Sequence, residues 1–385
     1  MSYQHIFKKS VNFYAKFCYR RNYRQSWLLL IFLLFKPVQA ATPVAESLAT
    51  APSKLPQYSE LISSGTHKFH LRKMAPTATT TATFENLPVV VLLSGPNQNF
   101  HADSAWFALL QPLLAQKYQV LAIDRLGNGF SDNADDVSYR RFSQDLATLL
   151  PNLTKQPVIL ISFASASISA RLLHQQQTIQ GQTNSQVQAM LWIDPDIPTP
   201  DALALYQGYP VDWYQKNLQQ LLPELAKGVW NQRTKDKLHK ERAEIVALLS
   251  SDNTTMMDWG YFDAISGQRQ SPQRQQQRAI EIANYAKDLD LYAALPAITD
   301  IPVTVIDSDF ETAAIQADPA QAKQLQQWQQ QGSAWSQHLA KNSGGQYLPL
   351  QHSDHLVMFQ HPETIVAAVD WLSEKVTVFP LKTKH

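Results

Sequence analysis

Cysteine is almost absent from this chain, whose 385 residues hold a single one, Cys18. One thiol excludes a disulfide framework and a thiolate metal cluster. A bilayer-spanning run is missing as well: the apolar stretch from Trp27 to Phe35 has nine residues, where a membrane helix needs about 20. The chain also has no basic surplus. Seven of its 33 Lys and Arg lie in residues 1–40, which contain no Asp or Glu, so the remainder sets 26 basic against 32 acidic side chains. That mildly acidic balance excludes a nucleic-acid footprint. No internal repeat is present, and no Gly-rich phosphate loop follows a strand, so nothing calls for a nucleotide or flavin.

The basic start has a meaning of its own. Lys8, Lys9, Lys16, Arg20, Arg21 and Arg24 precede the apolar run, and Val38-Gln39-Ala40 follows it with small residues. This is the layout of a secretory signal peptide, cleaved after Ala40. Cys18 lies inside it, so a mature chain would have no thiol. The expectation is a periplasmic or secreted protein with no stable membrane span after signal cleavage. Residues 41–56, rich in Ala, Pro, Ser and Thr, read as a flexible leader.

Next come short alternating runs at 58–62 and 68–72, flanking Ser63-Ser64-Gly65 as an opening hairpin would. Continuous apolar strands follow at 88–93, 119–123, 157–161, 189–193 and 301–306. They alternate with helical patterns at 104–116, 139–150, 164–176 and 362–374. Strands apolar on both faces, alternating with amphipathic helices, predict an α/β fold: a mostly parallel central sheet flanked by helices. Residues 197–296 break this rhythm with helical patterns at 201–208, 211–226, 232–250 and 274–294. They divide the core into 57–196 and 297–378 with an inserted helical cap. The Gln-rich patches at 175–182, 273–277 and 324–331 read as solvated helix faces.

Residues just beyond strand ends carry chemistry in such a sheet. Taken in order, Val89 to Pro96 (VVVLLSGP), Trp106, Asp124 to Asp132 (DRLGNGFSD), Pro157 to Ser167 (PVILISFASAS), Ile301 to Glu311 (IPVTVIDSDFE) and Asp354 to Pro362 (DHLVMFQHP) resemble the α/β-hydrolase fold superfamily. The similarity covers residues 85–195 and 298–375 and leaves out the cap. It implies a cofactor-independent hydrolase of an ester or similar acyl substrate, with a Ser-His-acid arrangement and a small-molecule substrate or ligand; the oligomeric state stays open.

The resemblance makes His355 the proton carrier, since it precedes an apolar run and Pro362 as the family's histidine does. A neutral imidazole held by a carboxylate can take and return a proton near neutral pH. Aligned from Pro302, the family's glycine falls on Ser308 and its orienting acid on Glu311, with Asp309 as the alternative acid. Asp194 and Asp196, after the preceding strand, read as solvated or capping carboxylates. His352, Asp354 and His361 lie close in sequence without metal-ligand geometry, so no metal is expected.

The nucleophile position departs from the pattern. The family sets it on a tight strand-to-helix turn flanked at two residues each way by small side chains. Ser162 and Ala166 satisfy that rule and place Ala164, which cannot attack anything, at the centre. Shifting by one makes Ser165 the nucleophile but puts Phe163 where a small residue belongs. The oxyanion loop is altered too. Gly95 is present, but the next residue is Pro96, which has no N–H to donate; Asn97 is the candidate substitute. Three functions fit these residues: a serine hydrolase using Ser165, a nucleophile-less enzyme moving a proton with His355 and a carboxylate, or a non-catalytic ligand-binding or interaction protein. Asp124 to Ser131, with Gly127 and Gly129, reads as scaffold. Trp213, Tyr214, Trp259, Tyr261 and Phe262 read as packing between cap and core, with a pocket lining as the alternative.

Overall fold

The computed structural model describes residues 54–76, 87–96, 103–179, 186–317 and 319–377. The signal peptide, most of the leader, the threonine-rich loop at 77–83 and Asn97 lie outside the described residues.

Alternating strand burial explains the architecture. Along β3 (Val89–Leu93), Val90 and Leu92 point to one side while Val89, Val91 and Leu93 point to the other, and all five are buried. The same division runs through β4 (Val120–Ile123), β5 (Val158–Phe163) and β6 (Val187–Ile193). A strand apolar on both faces is stable only between two helical layers, which is what a parallel sheet provides. With β1 (Ser59–Ser64), β2 (His67–Met74), β7 (Val303–Ser308) and β8 (Tyr347–Leu350), these strands form one sheet in the order β1-β2-β4-β3-β5-β6-β7-β8. β1 and β2 pair antiparallel with each other, β2 pairs antiparallel with β4, and the rest are parallel.

One face of the sheet packs on α1 (Leu110–Leu114) and α13 (Pro362–Thr377). The other packs on α2 (Tyr139–Leu153), α3 (Ala166–Ile179) and α11 (Ala322–Ser343). The segment expected as a helix over 104–116 is broken into a 3-10 turn, Ser104–Phe107, and the short α1. The opening hairpin and the five core strands fall within a few residues of their expected places. Of α11 only the Gln-rich face at 324–331 was foreseen, and α10 (Glu311–Ala317), the short helix α12 (Val357–Gln360) and β8 were not. β8 has four residues, one of them Pro349, and sits at the sheet edge, where a missing N–H is tolerated.

Between β6 and β7 lie α4 (Pro200–Gln207), α5 (Val211–Ala226), α6 (Asn231–Leu248), α7 (Ser251–Met256), α8 (Trp259–Gln268) and α9 (Pro272–Ala293). α7 and α8 were not separated in the sequence. α9 starts cleanly: Ser271 Oγ accepts the Arg274 N–H at 3.2 Å, and Pro272 occupies the first turn, where it sacrifices no hydrogen bond.

Five residues spaced three or four apart along α9 hold the core. Gln277 Oε1 accepts the Ala134 N–H at 2.8 Å, and Glu281 binds Arg125 through Nε at 2.9 Å and Nη2 at 2.8 Å. The Tyr285 hydroxyl meets Ser165 Oγ at 3.2 Å and donates to Asp196. Asp288 accepts the Tyr139 N–H at 2.7 Å, and Tyr292 donates to the Asp196 carbonyl at 2.9 Å. The Gln-rich stretch at 273–277 is therefore not a solvated face throughout: Gln275 and Gln277 are buried, because the cap turns that side of α9 onto the core.

Candidate functional site

β5 ends at Phe163 and α3 begins at Ala166, leaving two residues for the turn. Ala164 takes φ 50° there, a left-handed conformation that L side chains other than Asn and Asp rarely adopt. The turn is thus centred on Ala164, with the small Ser162 and Ala166 on either side. Gly95 packs directly against it. A Cβ on Gly95 would lie 2.1 Å from the Phe163 carbonyl oxygen and 2.7 Å from Ser165 N, so only glycine fits.

Asp194, the first residue after β6, also has a left-handed backbone, φ 44°. Its carboxylate accepts the Ser308 N–H at 2.7 Å and the Ser308 hydroxyl at 2.6 Å, and it faces His355 Nδ1 at 2.9 Å. The His355 ring contacts those of Phe163, at 4.7 Å, and Phe310, at 4.6 Å, both tilted. With Nδ1 engaged by a carboxylate and two rings packed against it, the imidazole is held in orientation and keeps Nε2 for other work.

The carboxylate partner of His355 is therefore Asp194, and the expectation of Glu311, or of Asp309 behind it, is corrected. Asp309 Oδ1 accepts the Ser353 N–H at 2.9 Å and closes a turn. Glu311 opens α10, and its side-chain partner is the Gln329 amide at 3.4 Å. Nor is Asp194 solvated, as the sequence reading had it; its side chain is 2% exposed. Asp196, taken in the same way, accepts the Tyr285 hydroxyl in the wall of the cavity. Chain order gave no reason to prefer Asp194, because its selection depends on a backbone angle and on contacts with Ser308 and His355, more than a hundred residues away. Position after a strand end was its one sequence signal.

Ser165 does not reach His355. Its side chain is buried and donates to Tyr285 Oη, whose own proton goes to Asp196. Burial, followed by the charge of Asp196, holds the Tyr285 phenol well above its ordinary pKa, so this chain keeps its protons. Burial likewise raises Asp196, opposed by the hydrogen bonds from Ser165 and Tyr285. The loop Ser94 to Pro96 is set by Arg125 Nη1, which donates to the Ser94 carbonyl at 2.7 Å. Ala166 faces the core, not the site.

Ala164, Ser165, Asp194, Pro96 and His355 line one cavity of about 580 Å³. Its aromatic residues are Tyr206, Tyr285, Phe310 and Trp328; Trp213, Tyr214, Trp259, Tyr261 and Phe262 pack elsewhere. Two further carboxyls line it, the buried Glu311 and the half-buried Asp307. Burial, reinforced by the charges of Asp194 and Asp307, pushes Glu311 up to about 8. Burial and Asp194 push Asp307 up to about 6. Among the described residues no group of three or more His, Cys, Asp or Glu could hold a metal, and no helix is long and apolar enough to cross a membrane.

The family profile described as "Alpha/beta hydrolase family" matches residues 90–368. Among solved structures, an alpha/beta hydrolase fold protein from Burkholderia ambifaria is 19% identical with a TM-score of 0.53, covering 82% of this chain and 98% of that one. An epoxide hydrolase from Vigna radiata is 14% identical with a TM-score of 0.54, at 82% and 98% coverage. No curated protein matches the chain.

Proposed function

Since the chain belongs to the alpha/beta hydrolase family, we propose that it is a hydrolase of an ester or similar acyl substrate that works without a covalent intermediate, using His355 and Asp194 to activate water. The observation that carries this reading is the His355–Asp194 contact, at 2.9 Å, preserved beside a turn whose central residue is Ala164. His355 Nε2 takes a proton from water as the water oxygen bonds to the acyl carbon, and returns that proton to the departing alcohol. Asp194 holds Nδ1–H and stabilises the imidazolium between the two steps. The Ser165 N–H, at the start of α3, supports the developing oxyanion. The donor lost at Pro96 is worth about 2.7–4 kcal/mol in comparable sites, so turnover is slow and favours activated esters.

Turnover of an aryl-ester panel tests this, together with fluorophosphonate labelling. His355→Ala should lower the rate by at least about 100-fold and Asp194→Asn should follow it, while Ser165→Ala stays active and the wild type takes no label. A His355-dependent adduct on Ser165 would overturn the water mechanism. A second reading, ligand binding without catalysis, is favoured by Pro96 and would be left standing by the absence of ester turnover above the buffer rate. We also place the mature chain, from Ala41, in the periplasm or outside the cell, on the strength of the signal layout in residues 1–40.

A further inference from the structure

We infer that the cavity beside His355 accepts an organic cation, a substrate whose acid or alcohol portion carries a substituted ammonium group. The inference rests on the cavity being the substrate site, as proposed above, and adds the chemical class of its occupant.

The charge of the wall is one-sided. Asp194, Asp196, Asp307, Asp309, Glu311 and Asp354 line the cavity, and among the described residues neither a Lys nor an Arg does. Apart from the His355 contact to Asp194, the hydrogen bonds these carboxyls accept come from neutral donors: Tyr285 to Asp196, Ser333 and Tyr347 to Asp307, Ser353 to Asp309, Leu356 N–H to Asp354. Glu311 is the sharpest case. It is 8% exposed, no cation is among the groups that shift it, and its carboxyl is bonded by its own backbone N–H and by the Gln329 amide at 3.4 Å, the latter beyond the usual range for an N–H···O bond. A carboxyl buried without a counter-charge ionises only at a cost, a cost that a positively charged ligand would offset.

The rest of the wall suits a soft cation better than a metal. Trp328 stands edge-on to Phe310 and to Tyr206, each at 6.0 Å between ring centres. These rings face the same space as the carboxyls, and aromatic faces attract weakly hydrated ammonium groups. An anionic ligand would meet six carboxyls and no cationic side chain but the histidines.

The carboxyls also predict how binding varies with pH. Glu311 is faced by Asp194 and Asp307, by Tyr206 of α4, by Tyr347 of β8 and by Gln329 of α11. Asp309 and the loop residues His352, Asp354 and His355 line the same cavity. A bound cation favours ionised Glu311, so binding expels its proton and tightens as pH rises toward about 8, where the empty site would lose it unaided.

Three benzyl alcohols of one shape test the inference, bearing para-trimethylammonio, para-tert-butyl or para-sulfo groups, measured by calorimetry in buffers of different ionisation enthalpy. The wild type should bind the ammonium at least about tenfold more tightly than its uncharged isostere, release protons on binding, and reject the sulfonate. Glu311→Gln should lose the proton release and most of the preference, while still binding the tert-butyl compound as a sign that it is folded. Equal affinity for the ammonium and tert-butyl compounds, or no binding of the ammonium, overturns the inference. His355→Ala separates the two readings. If ester turnover proves independent of His355 while the ammonium preference persists, the mechanism falls and the cation site stands.

Discussion

At the scale of single residues, the turn centred on Ala164 is, in the reading proposed above, one without the oxygen a serine there would supply. Ala164 keeps the left-handed angle of the turn and lines the cavity with His355, so its Cβ marks where an attacking group would be mounted. Ala164→Ser should therefore supply a hydroxyl within the domain of His355 and create fluorophosphonate labelling at position 164, absent from the wild type and abolished when His355→Ala is added. Failure of the folded variant to label would show that the turn does not aim position 164 at the histidine. His355, Gly95 and Ala164 could be singled out in the sequence because each sits in a local motif: before an apolar run and Pro362, just after β3, and midway between the small Ser162 and Ala166. Asp194 was not. Four carboxylates, Asp194, Asp196, Asp309 and Glu311, lie just after strand ends, and the choice among them is made by φ 44° at Asp194 and by two hydrogen bonds from Ser308. Neither leaves a local pattern.

At the scale of elements, the strands read most clearly and the cap least. β3 to β6 are apolar on both faces and announce themselves, whereas α10 is disguised by its seven-residue length, α11 by glutamine and β8 by its length and Pro349. The polar contacts of α9 were also invisible, because Gln277, Glu281 and Asp288 are interspersed on its inward side among apolar residues such as Ile282 and Leu289. Glu281 and Arg125 are both buried, and Arg125 in turn holds the Ser94 carbonyl beside the turn. Glu281→Ala would strand a buried guanidinium and should cost about 3–5 kcal/mol in denaturant unfolding. Replacing the pair together, Arg125→Met with Glu281→Leu, should restore much of that stability, a non-additivity expected of direct partners. A loss below about 1 kcal/mol for the single variant would mean the pair is solvated in solution.

At the scale of the whole molecule, three carboxyls, buried at Asp288 and Glu311 and half-buried at Asp307, work against folding when they ionise. Burial is the first cause in each: it pushes Asp288 up to about 7, Asp307 up to about 6 and Glu311 up to about 8. An acid whose folded-state pKa is raised retains its proton longer in the folded chain than in the unfolded one. Its contribution is thus complete below about pH 4 and is lost as pH rises through the folded-state values. The unfolding temperature should fall between about pH 5 and about pH 8.5. Glu311→Gln and Asp288→Asn should each flatten that fall, raising the unfolding temperature at the alkaline end and leaving it nearly unchanged at the acid end. A profile that rises with pH across this interval would contradict the burial of these groups.

The spacing along α9 constrains how such a chain can diverge. Its attachment points at 277, 281, 285, 288 and 292 keep one helical register. A single-residue insertion among them would rotate everything beyond it by about 100° and pull the downstream residues off their partners together. Helix α8 is tied to the core too, through Tyr261 to Ser104 and through Arg269 just beyond it to Asp103, whereas α4 to α7 make fewer such contacts and their lengths are freer to drift. A foreign cap grafted onto this core would have to join ahead of Gln277 and inherit the rest of α9 unchanged.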